Sequence, residues 1–150
     1  MGAYDRILVP TDGSEGVERA IHHATEVASV NDAAVYGLYV LSTDAYAGLG
    51  MESSWESVDR LLREDAADAV SRVRDLAAAA DVPVETAIVE GSPSREIVNY
   101  AEEIDCDLIV MGTHGRGGLD RLLLGSVAES VIRASSIPVT AVPVENQSED

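Results

Sequence analysis

A chain of 150 residues with 46% hydrophobic content is expected to form one globular domain, long enough to bury roughly 68–70% of its unfolded surface around a single core. Aspartate and glutamate number 27 against 10 basic residues, a formal charge of −17, and every basic residue is arginine. The absence of lysine excludes Schiff-base, P-loop and kinase-type lysines. The acidic balance argues against sequence-independent binding to nucleic acid or to anionic membranes, which needs clustered positive charge.

The opening MGAYDRILVP lacks a basic region followed by an apolar one, so no secretory signal is expected. Tyr4–Pro10 reads as a first strand and TDGSEG as turn and helix-start chemistry. Ser14 to Val30 reads as a helix with Val17, Ala20, Ile21, Ala24, Val27 and Ala28 on one face, and with Glu15 and Glu18 near its positive end. His22 and His23 are adjacent on this helix and point about 100° apart, so they cannot share a metal ion. Ala33–Leu41 is a second strand, in which Gly37 predicts close packing from above. Ser42–Trp55 shows neither period and reads as a surface loop, in which Tyr46, Met51 and Trp55 are open to two readings, a lid or, the one preferred, a hydrophobic latch against the neighbouring helix.

Glu56 to Ala80 places Val58, Leu62, Ala66, Ala69, Val73, Ala77 and Ala80 on one face of a long amphipathic helix. Val84–Glu90 is a third strand, and Gly91-Ser92-Pro93 starts a helix that runs to about Glu103. Cys106 stands between Asp105 and Asp107, whose carboxylates would raise its pKa. As a lone cysteine it agrees with a cytoplasmic chain. Leu108–Gly112 is a fourth strand, Ser126–Ala134 a fourth helix and Pro138–Val142 a fifth strand. The polar tail 145–150 is expected to be disordered. The apolar runs fall far short of the ~20 residues of a membrane span.

Continuous apolar strands alternating with helices mean a parallel sheet covered on both faces. The expected fold class is therefore α/β: a three-layer, doubly wound, five-stranded parallel sheet with right-handed crossovers. Ligands bind such sheets outside the carboxyl ends of the strands, where strand order reverses. The ends of the first and fourth strands, Pro10-Thr11-Asp12-Gly13-Ser14 and Gly112-Thr113-His114-Gly115, hold the richest polar and glycine chemistry.

The second of these leads to Gly125-Ser126 at the start of the fourth helix, where backbone N–H groups and the macrodipole form an anion site without lysine. Ser126 could add a hydroxyl, Val127 an amide, and Arg116 or Arg121 a counter-charge. The alternative is that Ser126 only caps the helix in a capping box with Glu129. Asp12 is open to the same two readings, ligand contact or turn aspartate. No G-x-G-x-x-G follows the first strand, and no nucleophile, base and orienter occur together.

Gly112-x2-Gly115-x9-Gly125-Ser126 matches G-x2-G-x9-G-[ST], and with RILVPTDGSEG and LLLGSVAESVIRASSIPVTAVPV the chain resembles the universal stress protein family, in its ATP-binding branch. The resemblance implies strand order 3-2-1-4-5, a homodimer, and ATP in the cleft between the first and fourth strands. It puts adenine near Asp12 and Val40, with Pro10 and Thr11 lining the pocket. Gly112 and Gly115 would approach ribose and phosphates, and Gly125, Ser126 and Val127 would hold the phosphates. His114 lies within the motif, and Mg²⁺ or Mn²⁺ would be held mainly by the phosphates. Arg116 rests on charge alone.

The expected function is a nucleotide-dependent stress-response regulator with slow or no ATP hydrolysis, pairing through Ile137–Val144. The alternatives are a nucleotide-independent module of the same fold and an adenylating enzyme, which the missing lysine disfavours. The acidic, lysine-free composition is similar to that of halophilic proteins, in whose solvent surface carboxylates are screened. An acidic protein from an arginine-preferring genome would look alike.

Overall fold

The computed structural model describes residues 2–42, 54–113 and 125–143, with residues 54–56 described by their backbone alone. In chain order the elements are β1 (Arg6–Pro10), α1 (Val17–Asn31), β2 (Ala34–Ser42), α2 (Ser54–Ala79), β3 (Val84–Gly91), α3 (Pro93–Glu103), β4 (Leu108–Gly112), α4 (Ser126–Ala134) and β5 (Val139–Val142). The strands form one parallel sheet in the order β3-β2-β1-β4-β5. This is the expected α/β architecture.

Two cores explain why β1, β2 and β4 are apolar at both parities, whereas the edge strand β3 carries Glu85, Thr86 and Glu90. Ile7 and Val9 of β1 point, with Val35, Leu108, Val110 and Val142, into a layer completed by α1 and by Val73 and Ala77 of α2. Leu8 points the other way, joining Leu38, Ile109 and Met111 beneath Ile97 and Ala101 of α3 and Ala128 and Val131 of α4. Successive strand residues face opposite sides, so both parities must be apolar when both sides are covered. Gly37 is the point of closest approach: a Cβ there would stand 2.9 Å from Val73 Cγ1 on α2.

Element ends differ from the sequence expectation where side chains or turns take over the backbone. Tyr4 and Asp5 are not in β1, because the amides of Asp5 and Arg6 donate to Asp107 Oδ2 at 2.7 and 3.0 Å. α1 begins at Val17 rather than Ser14. Asp12 Oδ1 accepts the Ser14 amide at 2.9 Å and Gly13 has φ +81°, which together hold an Asx turn ahead of the helix. Thr25 is buried on α1, its hydroxyl donating to Ile21 O at 2.8 Å, a polar residue that hydrophobic periodicity cannot flag. Ala80 is exposed, since α2 ends at Ala79.

Three helix ends share one device. Asp32, Asp81 and Asp105 have φ of 62, 60 and 54°. Each lies between a helix and the next strand, and the following amide bonds back into the last turn: Ala33 to Ala28 O, Val82 to Ala77 O and Cys106 to Ala101 O, at 2.9, 2.9 and 3.0 Å. These are Schellman closures with aspartate at the left-handed position glycine usually fills. α3 starts as expected, with Pro93 in its first turn after extended Ser92.

Candidate functional site

β1 and β2 stay paired as far as Pro10 and Leu38, whereas β1 and β4 pair through Ile7–Leu108 and Leu8–Ile109. Beyond Leu8 the chain of β1 leans towards β2 while β4 continues beside β5, reaching Gly112 opposite Val142. The strand order reverses at this seam, so a cleft opens above it. Backbone bonds fix its rim: the Thr11 amide donates to Leu38 O at 2.8 Å, the Thr113 amide to Val142 O at 3.0 Å, and the Gly125 amide to Thr113 O at 2.7 Å. The last of these places the start of α4 directly against the end of β4.

The cleft is a cavity of about 510 Å³, within the range of small-molecule sites. Pro10, Thr11 and Asp12 line it from β1, Leu38 to Ser42 from β2, Met111 to Thr113 from β4, and Gly125 to Ala128 from α4. Pro93 and Ile97 of α3, Val17 of α1 and Leu62 of α2 complete the lining. Of the residues singled out in the sequence, Pro10, Thr11, Asp12, Val40, Gly112, Gly125, Ser126 and Val127 all meet here. His114, Gly115 and Arg116 lie outside the described residues, as do Arg121, Tyr46 and Met51.

The start of α4 bears on the capping reading of Ser126. Gly125 is the N-cap, extended at φ −68°, ψ 161°, so Ser126 is the first helical residue and not the cap. Glu129 does not close a capping box either; its carboxylate accepts from Arg133 at 2.8 Å. The first intrahelical bond runs from the Glu129 amide to Gly125 O at 3.0 Å. The amides of Ser126, Val127 and Ala128 precede that bond, and a helix leaves such groups for an outside acceptor. All three residues line the cavity.

Asp12 is a turn aspartate, holding the Ser14 amide, and it also lines the cavity. It is the charged side chain among the described lining residues. Among the described lining residues, the groups that can meet an anion are therefore helix amides and hydroxyls. An adenine nucleotide fits these residues: polar donors gather at the α4 end, and apolar Val40, Leu41 and Leu62 line other walls. Thr11 is buried and turns its Oγ1 to the Gly13 amide at 3.1 Å, which leaves its backbone to shape the pocket. Ser14 Oγ is buried without a partner among the described residues.

Sequence reasoning passed over Tyr39, Ser42, Leu62, Ile97 and Met111 as site residues, while Thr113 stood in the segment it had marked. Ser42 could have been found as a polar residue ending a central strand. Leu62 and Ile97 read as ordinary core positions of amphipathic helices. His22 and His23 are exposed on α1, and the described residues contain no group of three or more metal-ligating side chains. Cys106 is buried, its thiol pushed up to about 11 chiefly by burial; Asp107 adds a smaller push. The expected rise is present, with burial as its larger cause and Asp107 as a contributing carboxylate. On the far side of α1, Arg72 of α2 holds the Glu18 carboxyl below its usual range. No helix among the described residues is long and apolar enough to cross a membrane.

Comparison with known proteins agrees with this geometry. The sequence matches the model of the Universal stress protein family over residues 3–143. It is 45% identical over 139 residues to Universal stress protein MJ0531 of Methanocaldococcus jannaschii, covering 93% of this chain and 82% of that one. The solved structure of MJ0577, which a curated relative of the same name places in M. jannaschii, superposes with a TM-score of 0.83 at 33% identity, over 96% of this chain and 99% of that one. The universal stress protein of Archaeoglobus fulgidus, solved in complex with dAMP, superposes with a TM-score of 0.67 at 26% identity, over 92% and 97% of the two chains. By sequence and by fold, the chain belongs to the universal stress protein family.

Proposed function

We propose that this protein is an ATP-binding, nucleotide-dependent regulator that works as a homodimer in the cytoplasm, each chain a single domain with one site. The observation that carries the reading is the start of α4, where three first-turn amides and the Ser126 hydroxyl border a cavity of about 510 Å³. Gly112, Gly125, Ser126 and Val127 hold ribose and phosphates, with Gly115, His114 and Arg116 completing the loop between them. Pro10, Thr11, Asp12 and Val40 surround the adenine. Mg²⁺ or Mn²⁺ enters on the phosphates and water. The dAMP complex of the A. fulgidus relative supports an adenine nucleotide as the ligand class.

Hydrolysis is slow or absent. A water attacking the γ-phosphate needs a positioned base, and the carboxylate at hand, Asp12, spends Oδ1 on the Ser14 amide. Pairing uses the segment Ile137–Val144. β5 is an edge strand bonded to β4 alone, its Val139, Thr140 and Ala141 are half-buried, and Ile132 of α4 is 41% exposed. A second copy covers this apolar edge and shields it from other strands.

Isothermal titration at molar salt with ATP, ADP and AMP, each with Mg²⁺ or Mn²⁺, tests the site. Micromolar binding of ATP is expected, together with adenine nucleotide in the supernatant of freshly denatured protein. No heat with any of the three would overturn the reading in favour of a nucleotide-independent module.

A further inference from the structure

We propose that Arg63 is a positioning residue of the nucleotide site: by gripping Asp59 and Glu90 it holds Leu62 against the bound base. The proposal rests on the adenine-nucleotide reading above and extends it to a helix which that reading does not use.

Among the described residues, α2 contributes to the cavity through Leu62. Among the described residues of α2, the buried anchors follow it: Ala66, Ala69, Val70, Val73 and Ala77. Before them, Val58 and Leu62 are half-buried, and Leu61 is 60% exposed. Hydrophobic packing alone therefore fixes the later turns of α2 better than the turn that faces the ligand. Arg63 supplies the missing tie. Its Nε donates to Asp59 Oδ2 at 3.2 Å, one turn back on the same helix, and its guanidinium reaches Glu90 Oε2 on β3. Glu90 lies opposite Leu41 in the sheet register, and Leu41 lines the cavity. The clamp thus closes one residue from Leu62 and one strand from the cavity wall.

A guanidinium fork can serve two carboxylates at once and fixes direction better than an ammonium. The pair is about half exposed on both sides, at 51% and 50%, so its hold is modest and weakens with salt. Binding and docking of this turn are then linked: whatever loosens Leu62 lowers affinity by the fraction of time the wall is absent.

The test is ATP titration on the full chain with R63Q, R63K, L62A, the double variant L62A/R63Q, and R72Q. R72Q removes the Arg72–Glu18 pair, a similarly exposed tie of α2 that lies among the buried anchors, between Val70 and Val73. We expect R63Q to weaken ATP about threefold to fivefold, R63K to recover part of the loss, and R72Q to leave affinity unchanged. The double variant should lose no more than L62A alone, because Arg63 acts through Leu62, and the R63Q effect should shrink as KCl rises. R63Q with wild-type affinity, equal losses in R63Q and R72Q, or additive losses in the double variant would overturn the proposal while leaving the nucleotide site standing. Wild-type protein that binds no ATP would overturn both.

Discussion

At Ser126 the backbone conformation offers a direct test of whether the start of α4 holds the phosphates of the proposed nucleotide. The residue before it, Gly125, sits at φ −68°, ψ 161°, which is the extended conformation that a following proline requires. Proline is also at home in the first helical position, where its missing N–H breaks no helical bond. Ser126→Pro should therefore remove one amide and one hydroxyl from the cavity without disturbing α4. The expected result is a loss of ATP affinity of about tenfold or more, since hydrogen bonds to charged groups contribute about 1.5–3 kcal/mol each. Ser126→Ala should lose less, because the amide remains. Titration calorimetry gives the affinities, and an unchanged circular dichroism spectrum shows that the helix survives. Wild-type binding by the proline variant would remove the Ser126 amide and hydroxyl from the site. This residue was legible in the sequence as a helix-start serine, but its role was not. Choosing between cap and first helical residue needs the φ and ψ of Gly125, which no spacing encodes.

At the scale of elements, the ends of the helices separate what local chemistry fixes from what it leaves open. Apolar periodicity located the helices and strands because each element has to turn a fixed face to one of two cores. The boundaries shifted where a particular side chain intervened, as Asp107 does at the amides of Asp5 and Arg6 and Asp12 does ahead of α1. The left-handed aspartates after α1, α2 and α3 are the most consequential of these local choices. Each holds an L-residue in a disfavoured region and puts a carboxylate at the negative end of a helix. Asp81→Gly should relieve both costs. Set against the added freedom of glycine in the unfolded chain, the net gain should be about 0.5–1 kcal/mol. Thermal melts should show a Tm rise of about 1–4 °C at low salt. The rise should diminish at molar salt, where the charge part is screened. A lower Tm at both salt levels would mean that the aspartate side chain stabilises this junction.

For the whole molecule, the formal charge of −17 sets the conditions under which everything else operates. The ion pairs seen among the described residues, Arg63–Asp59, Arg63–Glu90, Arg72–Glu18 and Arg133–Glu129, are partly or largely exposed and neutralise few of the carboxylates. Self-repulsion in the compact state then falls with the Debye length, from about 10 Å at 0.1 M salt to about 3 Å at 1 M. Tm should accordingly rise with KCl up to the molar range, the behaviour of a halophilic protein. ATP affinity should change far less over the same range, since short contacts to helix amides do not depend on long-range attraction. Calorimetric melts and ATP titrations across a KCl series check both. A flat Tm would point instead to an acidic protein of an arginine-preferring genome, and collapsing affinity would mean that distant charges, not amides, hold the nucleotide.

The sequence by itself determined the layered architecture, because apolar residues at both parities of a strand have one physical explanation, burial on both sides. It also determined where a ligand could sit, since polar and glycine residues such as Asp12, Gly112 and Ser126 gather at the ends of strands that are otherwise apolar. The tertiary structure alone decided which helix positions reach that cleft. Leu62 and Ile97 carry the same apolar pattern as the core residues around them, and they line the cavity only because of how far α2 and α3 overhang the strand ends. It likewise decided the partners of Arg63, which lie four residues away on one side and 27 on the other. Pattern along a chain records which face of an element is buried, but the reach of one element over another is fixed only when the layers pack.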